Sequence, residues 1–511
     1  MRKVDLAAFA LLLALGTAEG TALILTPSRQ GQPVIHDEFA YLLQAKMLAS
    51  GHVSMPSPEL PEFFEAAHVL VVPRYAAKYL PGHALYLMPF VILGVPWLGP
   101  ALGLGLFCAL LYCAARALGL HRAAAGAAGL LPLLSDNLAP VFGRYLSWTS
   151  ALPLIAASIA CAALALRTRR APWLAGLSAL AGWLFWDRPF AGLAMMITLG
   201  AATLVGLRET AEVRLDRRAR LRWLLAAAAP LALWGLLTLA VCKDVTGRFT
   251  ELPWATYARQ YLPGDGPGFG PGAPPAPERA VPAHDRRTFE AMEQGRRAFT
   301  PQVALAALPQ RLAVIASFEP TRLLWPLALL GLVLSRALWL PVGLFGLTFF
   351  CLQSTFHFRI AMYMLEAAPP LVLSLAAGLE GLARLSQRPP QRALRLLTTS
   401  LCSLPALLLL TEGAQWLSRL QTRGHEPPVL TVAVEAALAP LRSQHALVFL
   451  RYPADRDLNS DFGYNDPDLV HTPLLRALDR GPRNAELMAL HPDRPAYLLD
   501  VVTARVTPLP R

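Results

Sequence analysis

Charge is scarce in this chain: Asp, Glu, Lys and Arg make up 16% of 511 residues, while 55% are hydrophobic. That is too little polar material to cover a water-facing surface of this size, which excludes an ordinary soluble protein. Cysteine is scarce as well. Cys108, Cys113, Cys161, Cys242, Cys351 and Cys402 lie in or beside apolar segments without CxxC spacing. This argues against a disulfide framework or a cysteine zinc site and leaves them as small packing residues. No Walker loop, GxGxxG fingerprint or zinc-hydrolase motif occurs, so nucleotide-consuming chemistry has no support. The net charge of +12 is no sign of nucleic-acid binding, because much of the basic charge sits in short loops between apolar runs and sets orientation instead.

What the chain does have is length without polarity. The runs Leu6–Leu25, Ala101–Leu118, Leu174–Trp186, Trp223–Val241, Leu338–Cys351 and Leu396–Leu410 approach or reach the ~20 residues a helix needs to span a bilayer. The expected fold class is an all-α polytopic membrane protein with a small C-terminal extracytoplasmic α/β domain. Met1-Arg2-Lys3 resembles the start of a signal peptide, but apolar residues continue to Leu25, so the first run reads as a retained span. Basic clusters at Arg167–Arg170, Arg208–Arg222 and Arg388–Arg395 belong in the cytoplasm with the N-terminus. They all fall inside only if the short, proline-containing segment His83–Val95 is part of an outer loop. Spans are then expected near 6–26, 98–118, 123–140, 149–166, 171–186, 189–207, 223–241, 323–335, 338–354, 369–385 and 395–415, about eleven by the length rule. The organisation that follows is a first helix in 1–26, a periplasmic loop 27–97, spans in 98–241, a periplasmic loop 242–322, spans in 323–415 and a soluble periplasmic domain 416–511.

The polar residues of chemical interest converge on the outer side, most of all in the first loop. His36-Asp37-Glu38 opens a segment with Phe39, Leu42, Leu43 and Met47 at helical spacing, ended by Gly51. That pattern reads as an amphipathic helix lying on the membrane with two carboxylates in its first turn. One reading of Asp37 is plain helix capping. The other is a general base at the bilayer surface. Downstream follows Lys78-Tyr79-Leu80-Pro81-Gly82, then a short apolar helix ending near Pro96-Trp97.

Segment 36–97 resembles the first periplasmic loop of the GT-C glycosyltransferase superfamily, which includes the protein O-mannosyltransferases and the lipid A aminoarabinose transferase, and it most resembles uncharacterised bacterial members. Asp37, Glu38, Tyr41, Ala45, Gly51, Lys78, Tyr79, Pro81 and Gly82 fill the places of the superfamily pattern, while Leu80 replaces the usual first proline. The resemblance implies an inverting transferase of hexosyl or pentosyl groups in the bacterial inner membrane. Its partners would be a polyprenyl-phosphate sugar donor, membrane lipids and a glycan, lipid or protein acceptor, with no nucleic acid. Asp37 and Glu38 are then the catalytic candidates and Asp136 a second acidic candidate. A growing negative charge on the leaving phosphate needs cations or hydrogen-bond donors at the outer surface, for which Arg74, Lys78, Tyr79, Arg144, Arg188 and Arg359 are the candidates. Singly, each arginine at a membrane boundary also reads as a headgroup anchor, and Asp136 as a partner of Arg144.

Loop 242–322 is Pro/Gly-rich from Pro263 to Pro282 and reads as a flexible lid or linker, with Trp254 and Tyr257 as membrane anchors or sugar platforms. Val303–Phe318 reads as a surface helix broken at Pro309. Beyond 427, a helical pattern at Val429–Leu441 and apolar runs Leu447–Leu450 and Tyr497–Val502 suggest the small α/β appendage. Asp455, Asp457, Asn459 and Asp461 have EF-hand-like intervals, but Ser460 stands at the glycine position and no Glu closes the loop. No metal ligands are assigned, and a divalent ion has no sequence support. A flippase of lipid-linked glycans and a non-catalytic envelope scaffold are the competing functional classes. The flippase would carry inverted repeats or broken midplane helices, which the sequence does not show.

Overall fold

The computed structural model describes residues 3–208, 216–263, 265–270, 275–282, 285–320, 322–358, 361–386, 407–408, 410–418, 428–454 and 456–510. Among them, seven helical stretches are long and apolar enough to cross a membrane: Lys3–Ile24, Leu98–Ala117, Trp148–Thr168, Pro189–Leu207, Arg217–Thr246, Arg336–Ser354 and Ala361–Leu385. In chain order the helices are α1 (Lys3–Ile24), α2 (His36–Ala49), α3 (Gly82–Ile92), α4 (Leu98–Ala117), α5 (Arg122–Leu134) and α6 (Trp148–Thr168). Next come α7 (Ala171–Asp187), α8 (Pro189–Leu207), α9 (Arg217–Thr246), α10 (Pro253–Tyr261), α11 (Arg286–Arg297), α12 (Pro301–Ala306) and α13 (Leu308–Ala316). The series ends with α14 (Trp325–Leu334), α15 (Phe345–Ser354), α16 (Ala368–Ser386), α17 (Leu430–Arg442) and α18 (Asn484–Leu490).

The outside of the helical block carries many exposed large apolar side chains. Leu221, Leu224, Leu233 and Leu236 of α9 are all exposed, a face that water would not tolerate and lipid would. Small residues let the helices approach closely. A Cβ on Gly16 of α1 would come within 2.6 Å of the Gly105 Cα in α4, so the two backbones touch. Nine of the expected spans coincide with helices, and of the last, 395–415, only 407–408 and 410–415 lie among the described residues, where they are helical. The third differs. A span was expected over 123–140, but α5 stops at Leu134 after 13 residues. Pro132 lies in its last turn, and Ser135 and Asn137 hydrogen-bond the carbonyls of Phe318 (2.8 Å) and Ser317 (2.7 Å) instead of continuing the helix.

The C-terminal domain is a four-stranded sheet of β4 (Ala446–Arg451), β5 (Leu474–Leu478), β6 (Ala496–Asp500) and β7 (Arg505–Pro508), flanked by α17 and α18. Its order is β5-β4-β6-β7, parallel except for the last pair. The expected α/β character is present, but the domain is not a separate appendage. Phe39, Leu43 and Met47 of α2 share one buried core with Val434, Phe449, Phe462 and Leu475. The surface-lying helix expected at 36–51 is therefore a buried one. Its apolar stripe covers protein rather than lipid, while Tyr41 and Ala45 on another side pack toward Ala84 and Leu87 of α3.

Loop 242–322 also departs from the flexible lid read from its proline content. Its described parts are held by side chains within and around the proline run: Arg279 pairs with Glu65 at 2.7 Å, Asp285 with Arg456 at 2.7 Å, and Tyr257, Tyr261 and Phe289 are buried with Trp186 and Val241.

Candidate functional site

The site grows from the first turn of α2. Ile35 is the N-cap, and Glu38 closes the turn by accepting from the backbone N–H of Ile35 (3.1 Å) and Val34 (3.3 Å). Its other oxygen accepts from Tyr145 N at 2.9 Å, and the residue is 1% exposed. Glu38 is thus spent on three backbone donors, and burial pushes its pKa up. Because Glu38 supplies the cap, Asp37 makes no capping bond, and a helical step of ~100° turns it to a different neighbourhood.

That neighbourhood is built by a hairpin. β2 (Val69–Leu70) pairs antiparallel with β3 (Arg74–Ala77), which in turn pairs with β1 (Met55–Pro56). Lys78 N donates to His68 O at 2.9 Å, so His68 at the start of the hairpin faces Lys78-Tyr79 at its end. The chain then turns through Pro81-Gly82 into α3. A Cβ at Gly82 would lie 2.5 Å from Asp187 N, so only glycine lets this turn press against the end of α7.

Asp37 is where these pieces meet. Tyr79 Oη donates a short hydrogen bond to its Oδ1, His36 Nδ1 lies 3.0 Å from Oδ2, and His68 Nε2 lies 3.7 Å from Oδ1. Burial opposes its charge, but the two histidines and the Tyr79 hydroxyl outweigh it and hold the carboxyl well below its ordinary pKa. His68 is itself held well below the usual histidine range by burial and by Lys78. The side chain of Asp37 remains 29% exposed, so a ligand can reach it.

Lys78 is buried, with Nζ 4.9 Å from the centre of the Tyr257 ring and 5.4 Å from that of Tyr79. Burial lowers its pKa, and Asp265 and Asp37 counter that. Tyr41 stacks on Tyr79 at 4.6 Å. A further wall holds Arg188, paired with Glu366 at 2.6 Å and lying 4.3 Å over the Trp148 ring and 5.6 Å from Tyr363. Near Lys78, Asp265 and His357 stand 3.9 Å apart, with Asp265 Oδ1 and both His357 ring nitrogens buried and lacking hydrogen-bond partners.

The C-terminal domain fixes this arrangement. Tyr464 Oη bridges Ala67 O (2.7 Å) and His36 O (3.1 Å), and Asp461 Oδ2 accepts from Ala67 N at 2.7 Å. Asp461 is also paired with Arg456, in a spacing that sequence alone associates with calcium loops. Asp455 lies outside the described residues.

Of the residues singled out in the sequence, Asp37, Lys78, Tyr79 and Arg188 gather in one place. Arg74 is turned to Ser54 (Nε to Oγ, 3.0 Å), which in turn donates to Asp244. The charge of Arg144 bears on Glu38 rather than on Asp37. Asp136 is exposed in the turn after α5, and Arg359 lies outside the described residues. Sequence reasoning missed His36 and His68 as neighbours of Asp37, as well as Asp265, Tyr363 and Glu366. His36 was visible beside Asp37, but His68 becomes a neighbour only through the hairpin.

No protein-family profile and no curated protein matches the chain. Among solved structures, ArnT from Cupriavidus metallidurans bound to undecaprenyl phosphate is similar at 15% identity and TM-score 0.49, over 96% of this chain and 92% of that one. The Archaeoglobus fulgidus oligosaccharyltransferase tethered to an acceptor peptide is similar at 12% identity and TM-score 0.49, over 85% of this chain. The same archaeal enzyme, AglB, with an inhibitory peptide and a dolichol-phosphate gives 12% identity and TM-score 0.44, over 84% of this chain. This chain spans 57% and 58% of the archaeal enzyme's length in those two structures.

Proposed function

We propose that this protein is a GT-C-type inverting glycosyltransferase of the bacterial inner membrane. It moves a hexosyl or pentosyl group from a polyprenyl-phosphate donor to an extracytoplasmic glycan, lipid or protein acceptor. The observation that carries the reading is Asp37: an ionised, reachable carboxylate held by a tyrosine and two histidines rather than by a permanent cation, with a buried lysine beside it. Such a carboxylate can accept the proton that an acceptor hydroxyl loses as it attacks the anomeric carbon. Lys78 and Tyr79 would face the donor phosphate, whose negative charge grows as its bond to the sugar breaks. Arg188 is less available because Glu366 already holds it. The first-loop pattern Asp37, Glu38, Lys78, Tyr79, Pro81 and Gly82 supports the same reading.

On this reading the Asp37 end of the bundle faces the periplasm, and reporter fusions near Gly266 and Asp461 report outside while fusions after Arg170 and Glu212 report cytoplasm. The decisive experiment uses membranes carrying the protein, a radiolabelled polyprenyl-phosphate sugar and no nucleotide sugar. Transfer by the native chain and its loss in Asp37→Asn is the expected result. Strict dependence on a nucleotide sugar, after endogenous lipid donors are removed, refutes the donor assignment.

A further inference from the structure

The two histidines beside Asp37 are arranged less like hydrogen-bond partners than like ligands. His36, Asp37 and His68 place one ligand atom each within 4.8 Å of one another, and the two imidazoles meet edge to face with centroids 4.4 Å apart. His36 Nδ1 is 3.0 Å from Asp37 Oδ2 but poorly aligned for a bond, and it is buried without a hydrogen-bond partner. His68 Nε2, at 3.7 Å from Oδ1, is too far for one, and its Nδ1 is also buried and unpartnered. Around a tetrahedral ion with bonds of ~2.0–2.1 Å, ligand atoms sit ~3.3–3.4 Å apart, between the two separations seen.

We propose that His36, Asp37 and His68 form a binding site for a first-row divalent cation, Zn²⁺ before the harder Mg²⁺ or Ca²⁺. Two imidazoles and one carboxylate are the borderline donors that such ions prefer, and three protein ligands leave a coordination position open for an oxygen of a bound molecule. The bond from Tyr79 Oη fixes the carboxylate, and Tyr464 fixes the His36 backbone. The charge that opposes an ion here is the ammonium of Lys78, which bears on both His68 and Asp37. An ion at this site and a free Asp37 base are alternative states of one carboxylate. Metal binding is measured without any substrate, so the inference stands or falls separately from the transferase reading.

The test uses full-length protein in detergent, purified by a tag other than polyhistidine, stripped with chelator and dialysed. Zn²⁺ or Co²⁺ is added back and counted by elemental mass spectrometry and titration calorimetry. One tight equivalent per chain is expected. His36→Ala and His68→Ala should each weaken it by ~100-fold or more, since losing even a group bonded to a ligand costs ~10–100-fold. Lys78→Gln should tighten it. No bound ion, or an ion held with unchanged affinity in both histidine variants, overturns the proposal. Should those variants fail to fold, pulsed EPR of the Cu²⁺-loaded native chain still decides: two coordinated imidazole nitrogens are expected, and none overturns the site.

Discussion

Two aspartates at opposite ends of α1 and α2 show how differently the same group is used. Asp5, at the start of α1, accepts from Tyr112 Oη at 2.8 Å and from Arg122 Nε at 3.1 Å, with Arg116 Nε at 3.5 Å. Asp37 also accepts from a tyrosine, but its other neighbours are His36 and His68. Guanidinium is a permanent cation and saturates a carboxylate. Imidazole carries no permanent charge and leaves the carboxylate able to take a proton or an ion. The first arrangement ties α1 to α4 and α5, whereas the second is available for chemistry.

The comparison is broken most sharply at Asp37. Asp37→Asn keeps the shape and should leave expression nearly unchanged and lower the melting temperature only by what the ionised carboxylate contributes, yet lower transfer by ~10²–10⁴-fold. Full transfer by well-expressed protein would end the claim that Asp37 is the base. Its neighbour should respond the other way. Glu38→Gln leaves buried backbone donors poorly satisfied and should cost ~1–3 kcal/mol of stability, read by thermal melting, with transfer per folded molecule retained. Asp5→Asn strands two arginines at the far end, so its melting temperature should fall while transfer by the surviving protein does not. A loss of transfer without loss of stability would contradict the division between the two ends.

Finer effects sharpen the contrast. Tyr464→Phe removes a hydroxyl that bridges two backbone carbonyls and should destabilise by ~0.5–1.5 kcal/mol, with a drop in transfer exceeding the loss of folded protein. The smallest effect is in pH. Asp37 has a folded pKa below its unfolded one, so its contribution is in place above the ordinary carboxylate value and fades only as pH falls through the lowered pKa. His68 also has a lowered folded pKa, so the unfolded chain takes up the extra proton and stability falls as pH drops below ~6.5. Melting temperature should therefore decline between pH ~7 and ~5 while transfer per folded molecule stays flat, and His68→Gln should flatten the melting curve. An acid limb in transfer near pH ~6.5 would point to a histidine instead of the carboxylate.

Much of the molecule was legible in residue order because lipid imposes simple rules. A helix must satisfy its own backbone and be long and apolar enough, and both are properties of a contiguous stretch. The runs at Lys3–Ile24, Leu98–Ala117 and Pro189–Leu207 could be read directly. Asp37, Lys78 and Tyr79 were singled out for a different reason, the resemblance of their loop to a superfamily pattern, and the structure brings the three side chains together. Capping showed the limit of that approach. An acidic pair at a helix start announces that one of them caps, and the sequence did not say that it is Glu38.

What the sequence determined alone is periodicity and polarity; even the need for glycine at 82 comes from the close approach of Asp187 and Trp186. Tertiary structure decided everything that joins distant segments. The apolar face of α2 is equally suited to lipid and to protein, and only the fold shows that Phe39 and Met47 are buried against the C-terminal sheet. His68, Asp265 and Tyr464 carry no local signal, because their roles depend on contacts with residues far along the chain. The hairpin, the loop after α9 and the C-terminal domain bring them there, and side-chain chemistry at that range is set by packing rather than by spacing.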